Sequence, residues 1–153
     1  MRIAIVAPAG AGKTTFIEEF LKEYPAYQTP LETHKDVSGA DIQEYQRNVR
    51  DWFIDQEMLH QENVIFDGCV LSVYAYTKFQ YEKGKIHREF LDETKELAAR
   101  SAMRLDLIIY LPSYKKADKA ISKAFLEVLL EMAPMHLRKI KILGREEEVK
   151  EWI

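Results

Sequence analysis

Residues 2–15 read RIAIVAPAGAGKTT, and their types and spacing suit one task, the holding of a polyphosphate. Backbone N–H groups can close around phosphate oxygens only where no side chain blocks the approach. Ala9, Gly10, Ala11 and Gly12 leave that approach open. A helix opening at Lys13 would add the partial positive charge of its N-terminus, with the N–H groups of Thr14 and Thr15 turned to the anion. The Lys13 ammonium would reach the β- and γ-phosphates, and the Thr14 hydroxyl would hold Mg²⁺. The spacing is that of the phosphate-binding motif G-x-x-x-x-G-K-[ST], with Ala7 in place of the first glycine.

Two carboxylates are candidates to work beside such a phosphate. Asp67 ends the apolar run Val64-Ile65-Phe66, and a carboxylate there can bind Mg²⁺ or take the proton of an acceptor hydroxyl. Glu32, in Thr29-Pro30-Leu31-Glu32-Thr33, is a second candidate base or Mg²⁺ contact, or an exposed loop residue. A migrating phosphoryl group also needs cations around it. Arg100 and Arg104 precede the apolar run 105–111, and Lys115, Lys116 and Lys119 follow it in a segment, 113–119, that could act as a lid. Gln56 is the candidate for reading the polar edge of a ligand, whereas Tyr45, Trp52 and Phe53 fall near the apolar face of the same helical segment. Lys83, Lys85 and Arg88 form a further basic excursion that could meet an acceptor phosphate. The histidines at 34, 60, 87 and 136 show no metal-ligand spacing, and Cys69 reads as a small buried residue.

The elements that must position these groups alternate. Strand-like runs fall at 2–7, 27–33, 64–67, 105–111 and 140–144. Helical periodicity falls at 13–23, 41–61, 71–81, 87–104, 117–132 and 146–153, with Pro25 and Pro134 as stops. Asp41 with Glu44 reads as a helix cap, and Gly84 as a break. Alternation of this kind predicts an α/β protein: a single domain over 1–153, three layers, and a five-stranded parallel sheet flanked by helices. Ligands of such sheets sit at the carboxyl ends of the strands, here marked by Ala7, Glu32, Asp67, Leu111 and Leu143. One cysteine precludes an intrachain disulfide, which suits a reducing compartment. No apolar run is long enough to span a membrane, and the N-terminal residues read as a strand, not as a leader peptide. The expected location is therefore the cytoplasm. A formal net charge of −3 supplies no broad attraction for nucleic acid, so a nucleic-acid partner is not favoured.

Taken in order, APAGAGKTT, YQRNVRDWFIDQE, VIFDGCVLSVYAY and LDLIIYLP resemble the small P-loop kinases of the nucleoside and nucleotide kinase type. Similar branches are the ribosylnicotinamide kinase domain, often labelled a small AAA-type domain, and the thymidylate and deoxynucleoside kinases. The resemblance implies the P-loop NTPase fold, ATP and Mg²⁺ as cofactors, and a nucleoside, nucleotide or related acceptor held between the helices near 41–61 and 71–81. It implies Lys13 and Thr14 for the nucleotide and Mg²⁺, Asp67 or Glu32 for catalysis, and a homodimer as the form many relatives take. The chain departs from the family's pattern twice. Gly68 stands where an arginine usually follows the aspartate, and lysines stand where the lid usually carries arginine. Three alternatives stay open: a regulatory nucleotide switch or NTPase, a binding module that has lost catalysis, and a kinase acting on a modified base or sugar in DNA, for which a basic patch near 78–88 would argue.

Overall fold

Four apolar residues follow Arg2 in β1 (Arg2–Val6), the mark of a strand covered on both faces. The pleat sends Ile3 and Ile5 to one side and Ala4 and Val6 to the other. The computed structural model describes residues 1–30, 38–136, 139–144 and 148–153, and β1 lies inside its sheet. β1 pairs in parallel with β2 (Val64–Asp67) on one flank and with β3 (Leu107–Tyr110) on the other. β4 (Ile140–Ile142) adds to β3, giving the order β2-β1-β3-β4.

Helices cover both faces. Ile3, Ile5, Ile65, Leu107 and Ile109 pack against Ile17 and Phe20 of α1 (Lys13–Glu23) and Val149 of α6 (Glu148–Trp152). On the opposite face, Ala4, Val6, Phe66 and Ile108 meet α2 (Ile42–Leu59), α3 (Val70–Glu82), α4 (Arg88–Arg104) and α5 (Lys119–His136). This is the three-layer α/β architecture with a parallel sheet that the residue pattern predicts.

Among the described residues the sheet has four strands where five are expected. Of the expected strand 27–33, residues 27–30 make a single parallel bridge between Gln28 and Val64 outside the named strands, and 31–33 fall outside the described residues. The Gln28 N–H donates to the Asn63 carbonyl at 2.8 Å, and the Ile65 N–H donates to the Gln28 carbonyl at 2.9 Å. The next bond of that ladder would be a donation from residue 30 to the Ile65 carbonyl, and Pro30 has no N–H to give. Pro134 also departs from expectation. It lies inside the last turn of α5 instead of ending that helix, at the cost of one backbone donor.

The cap on α2 is where the sequence puts it. The Asp41 carboxylate accepts the Glu44 N–H at 2.8 Å, and the Glu44 carboxylate accepts the Ala40 N–H at 2.9 Å. No helix among the described residues is long and apolar enough to cross a membrane. The carboxyl ends of all four strands face one edge of the molecule, and the loop leaving β1 emerges there.

Candidate active site

The loop between β1 and α1 turns sharply at two glycines, Gly10 at φ +79° and Gly12 at φ +95°. Both angles are left-handed and cost a side-chain-bearing residue energy that glycine does not spend. Gly12 caps α1 with no side-chain partner, so the first N–H groups of that helix are left for a ligand. Ala7, the departure from the motif's first glycine, is fully buried among the apolar residues on the α1 face of the sheet, so its methyl fills core space and stays clear of the loop. Thr14 and Thr15 are exposed on the first turn of α1.

Lys13 turns back toward β2, with its Nζ 3.6 Å from Asp67 Oδ1. That separation is too long for a hydrogen bond, and Asp67 Oδ1 is buried without any hydrogen-bond partner. A buried carboxylate oxygen with no donor is an uncommon arrangement. Together with the Thr14 hydroxyl it offers the hard oxygen donors that Mg²⁺ prefers, so the residues present fit that ion.

The chain between Asp67 and α3 also explains an absence in the sequence. Gly68 has φ +104°, and a Cβ built there would come within 2.9 Å of Phe53 Cζ. A side chain at this position would be strained by the backbone and would have to displace the Phe53 ring. Gly68→Ala should accordingly destabilise the fold by about 1–3 kcal/mol, read as a lower urea midpoint. A midpoint equal to wild type would show that the Phe53 ring yields freely. Cys69 follows as the α3 cap, fully buried, and burial pushes its thiol up to about 12, so it is no nucleophile at neutral pH.

Two spaces open on the loop from opposite sides. A cavity of about 240 Å³ lies between α2 and α3, with Ala9 and Lys13 at one end and Tyr45, Gln46, Phe53 and Tyr76 around it. An open cleft of about 940 Å³ lies between α1 and the ends of β3 and β4, bounded by Ala11, Gly12 and Thr15 and by Phe16, Tyr114 and Gly144. Two side chains distant in sequence hold the loop itself. The Tyr76 hydroxyl accepts the Ala9 N–H at 2.8 Å, and Lys115 Nζ donates to the Gly10 carbonyl at 3.0 Å. Burial pushes the Tyr76 phenol up, by more than the Ala9 N–H donated to it pulls it down.

Not every candidate reaches this place. Arg100 and Arg104 sit on the C-terminal turns of α4, just before the amino end of β3, at the far end of the sheet from the phosphate loop. Arg100 pairs with Glu96 at 2.9 Å, and Arg104 pairs with the buried Glu57 at 2.8 Å. This corrects the expectation that they face the phosphates. A helix that returns the chain to the start of a parallel strand carries its last residues to the strands' amino ends. Gln56 is buried but does not line the cavity. Gln46 lines it instead, sharing a helix face with Val49 and Phe53, while Gln56 lies ten residues or about 15 Å further along α2. Glu32 falls outside the described residues. Of the 113–119 lysines, Lys115 is the one seen on the loop, while Lys116 and Lys119 are exposed. In the sequence Tyr76 and Gln46 stood out only as members of VIFDGCVLSVYAY and YQRNVRDWFIDQE. Helical spacing from Phe53 back to Gln46 was the available signal for the latter.

No protein-family model and no curated protein matches this sequence. Solved structures do match its shape. A deoxyadenosine kinase from M. mycoides with bound dCTP superposes with a TM-score of 0.66 at 18% identity, over 100% of this chain and 95% of its own. A thymidylate kinase from Candida albicans gives 0.63 at 16% identity, over 98% and 88%. One from Ehrlichia chaffeensis gives 0.55 at 15%, over 100% and 98%. With its phosphate loop at the carboxyl edge of a parallel sheet and its whole length matched, the chain has the fold of the P-loop nucleoside and nucleotide kinases.

Proposed function

We propose that the chain is an ATP-dependent phosphotransferase acting on a nucleoside, a nucleotide or a related acceptor. One observation carries the reading: a single phosphate loop borders two separate spaces, with Ala9 and Lys13 in one and Ala11 and Gly12 in the other. Transfer between two bound molecules needs that arrangement, because reacting atoms held in register gain most of their rate from positioning. The open cleft, with Phe16 and Tyr114 at its walls, suits the donor nucleotide, since aromatic rings offer stacking surfaces to a base. The smaller cavity suits the acceptor, with Gln46 able to pair with a polar edge and Tyr45 and Phe53 offering ring surfaces.

The loop N–H groups and Lys13 bind the phosphates, and Lys115 brings a second cation to the loop. Thr14 and Asp67 are the residues that would hold Mg²⁺, which supplies charge neutralisation on the phosphates. The setting this reading implies is nucleotide metabolism in the cytoplasm. A polymeric acceptor such as DNA gains little support from the 78–88 region. Lys78 lies between Glu131 at 2.6 Å and Glu127 at 3.4 Å, and Arg88 pairs with Asp92 at 3.1 Å.

The test is ADP release from ATP and Mg²⁺ against a panel of nucleosides, nucleoside monophosphates and nicotinamide riboside. One acceptor should raise turnover well above the rate with ATP alone. Lys115→Ala should then lower kcat up to about tenfold, the change that about 1.4 kcal/mol of lost transition-state stabilisation corresponds to. ATP binding with no acceptor-stimulated turnover across the panel would overturn the proposal in favour of a binding module.

A further inference from the structure

Tyr76 belongs to two places at once. Its ring is a wall of the cavity between α2 and α3, and its hydroxyl oxygen accepts the N–H of Ala9 at the start of the phosphate loop. The ring is also seated edge-on against Phe125, with centroids 5.4 Å apart and planes at 89°. We propose that Tyr76 is a positioning residue that couples the two substrate sites, so that filling the α2/α3 cavity organises the phosphate loop and the two ligands bind with positive synergy. This rests on the phosphotransferase reading of the same site.

The physical argument runs through entropy. Ala9 is exposed and is followed by Gly10, Ala11 and Gly12, a stretch in which two residues adopt left-handed backbone. Such a stretch loses much freedom when a polyphosphate orders it. Lys115 holds it at Gly10 from the β3 side, and Tyr76 holds it at Ala9 from the α3 side. Tyr76 is itself only partly buried. A molecule in the cavity would confine the ring to the position that reaches Ala9. Ordering of Ala9 is then complete before the polyphosphate arrives, and the second ligand loses less freedom than the first.

The test is calorimetric binding of AMP-PNP with Mg²⁺, with and without a mixture of the common deoxynucleosides and their 5′-monophosphates. The proteins are wild type and Tyr76→Phe, a change that keeps the ring and removes only the hydroxyl. In wild type the mixture should tighten AMP-PNP about fivefold or more, the lower bound of ordinary coupling between sites. In Tyr76→Phe the tightening should vanish, and any change in the binding of AMP-PNP alone should be a weakening, because the loop has lost its hold at Ala9. In wild type the mixture should also slow hydrogen exchange at the Ala9 amide. Equal tightening in both proteins, no tightening in wild type, or unchanged Ala9 exchange would overturn the coupling and leave the phosphotransferase reading standing. Failure of wild type to bind AMP-PNP at all would overturn that reading and the coupling with it.

Discussion

Lys13→Ala should lower acceptor-stimulated kcat by about 10²–10³-fold while the protein stays folded, the usual loss when one preorganised charge contact to a reacting group is removed. Stability should barely change because Lys13 contributes little to the fold. Its ammonium stands 3.6 Å from Asp67, and the two side chains are 16% and 38% exposed. The pair is partly buried but holds no hydrogen bond, so losing it should cost no more than about 1 kcal/mol, and Ala is at least as good as Lys in the first turn of a helix. The loss should appear in kcat more than in acceptor KM, because Lys13 lies at the loop end of the acceptor cavity, away from Gln46 on α2. Steady-state ADP release with a thermal melt on the same sample checks it. Undiminished turnover in the variant would remove the phosphate loop from the reaction altogether.

Arg104→Ala should do the reverse, costing about 3 kcal/mol of stability with kcat unchanged in the molecules that remain folded. The Glu57 side chain is 1% exposed and receives donors from Arg104 Nε at 3.1 Å, Arg104 Nη2 at 2.8 Å and the Ser101 hydroxyl. Truncating the arginine leaves a buried carboxylate with one neutral donor. The expected cost sits at the low end for broken buried pairs because Arg104 itself is 28% exposed and water can partly replace it. For a chain of this size that is a fall in Tm of about 6–12 °C, and urea unfolding should show it with an unchanged slope. Unaltered stability with reduced turnover would restore the catalytic role that the sequence suggested for this residue.

These two residues show which placements can be read from the sequence and which cannot. The position of Lys13 at the turn from β1 into α1 was legible because everything that defines it is contiguous: an apolar strand, small loop residues, then a helix start. Arg104 was read wrongly from equally plain information. A basic residue just before a strand looks well placed for a phosphate until the chain direction is considered, and α4 delivers it to the amino edge of the sheet. Gln56 and Gln46 differ in the same way. Both are polar residues in one helix, and only the position of the loop along that helix decides which of them lines the cavity. The glycine at 68, where the resembled family usually has arginine, left altered or lost activity open from the sequence, and the structure adds that a side chain there would sit on a left-handed backbone against the Phe53 ring.

Local order was thus written in the chain by short-range causes. Hydrophobic periods set strand and helix, and Asp41 set a helix start. The tertiary structure alone decided which distant side chains meet. Tyr76 reaches Ala9 across 67 residues and Lys115 reaches Gly10 across 105. Both meetings follow from β1 lying between β2 and β3, which brings α3 and the loop after β3 to either side of one phosphate loop. Strand order is chosen by the burial of both sheet faces taken together, and no window of sequence around Ala9 contains it.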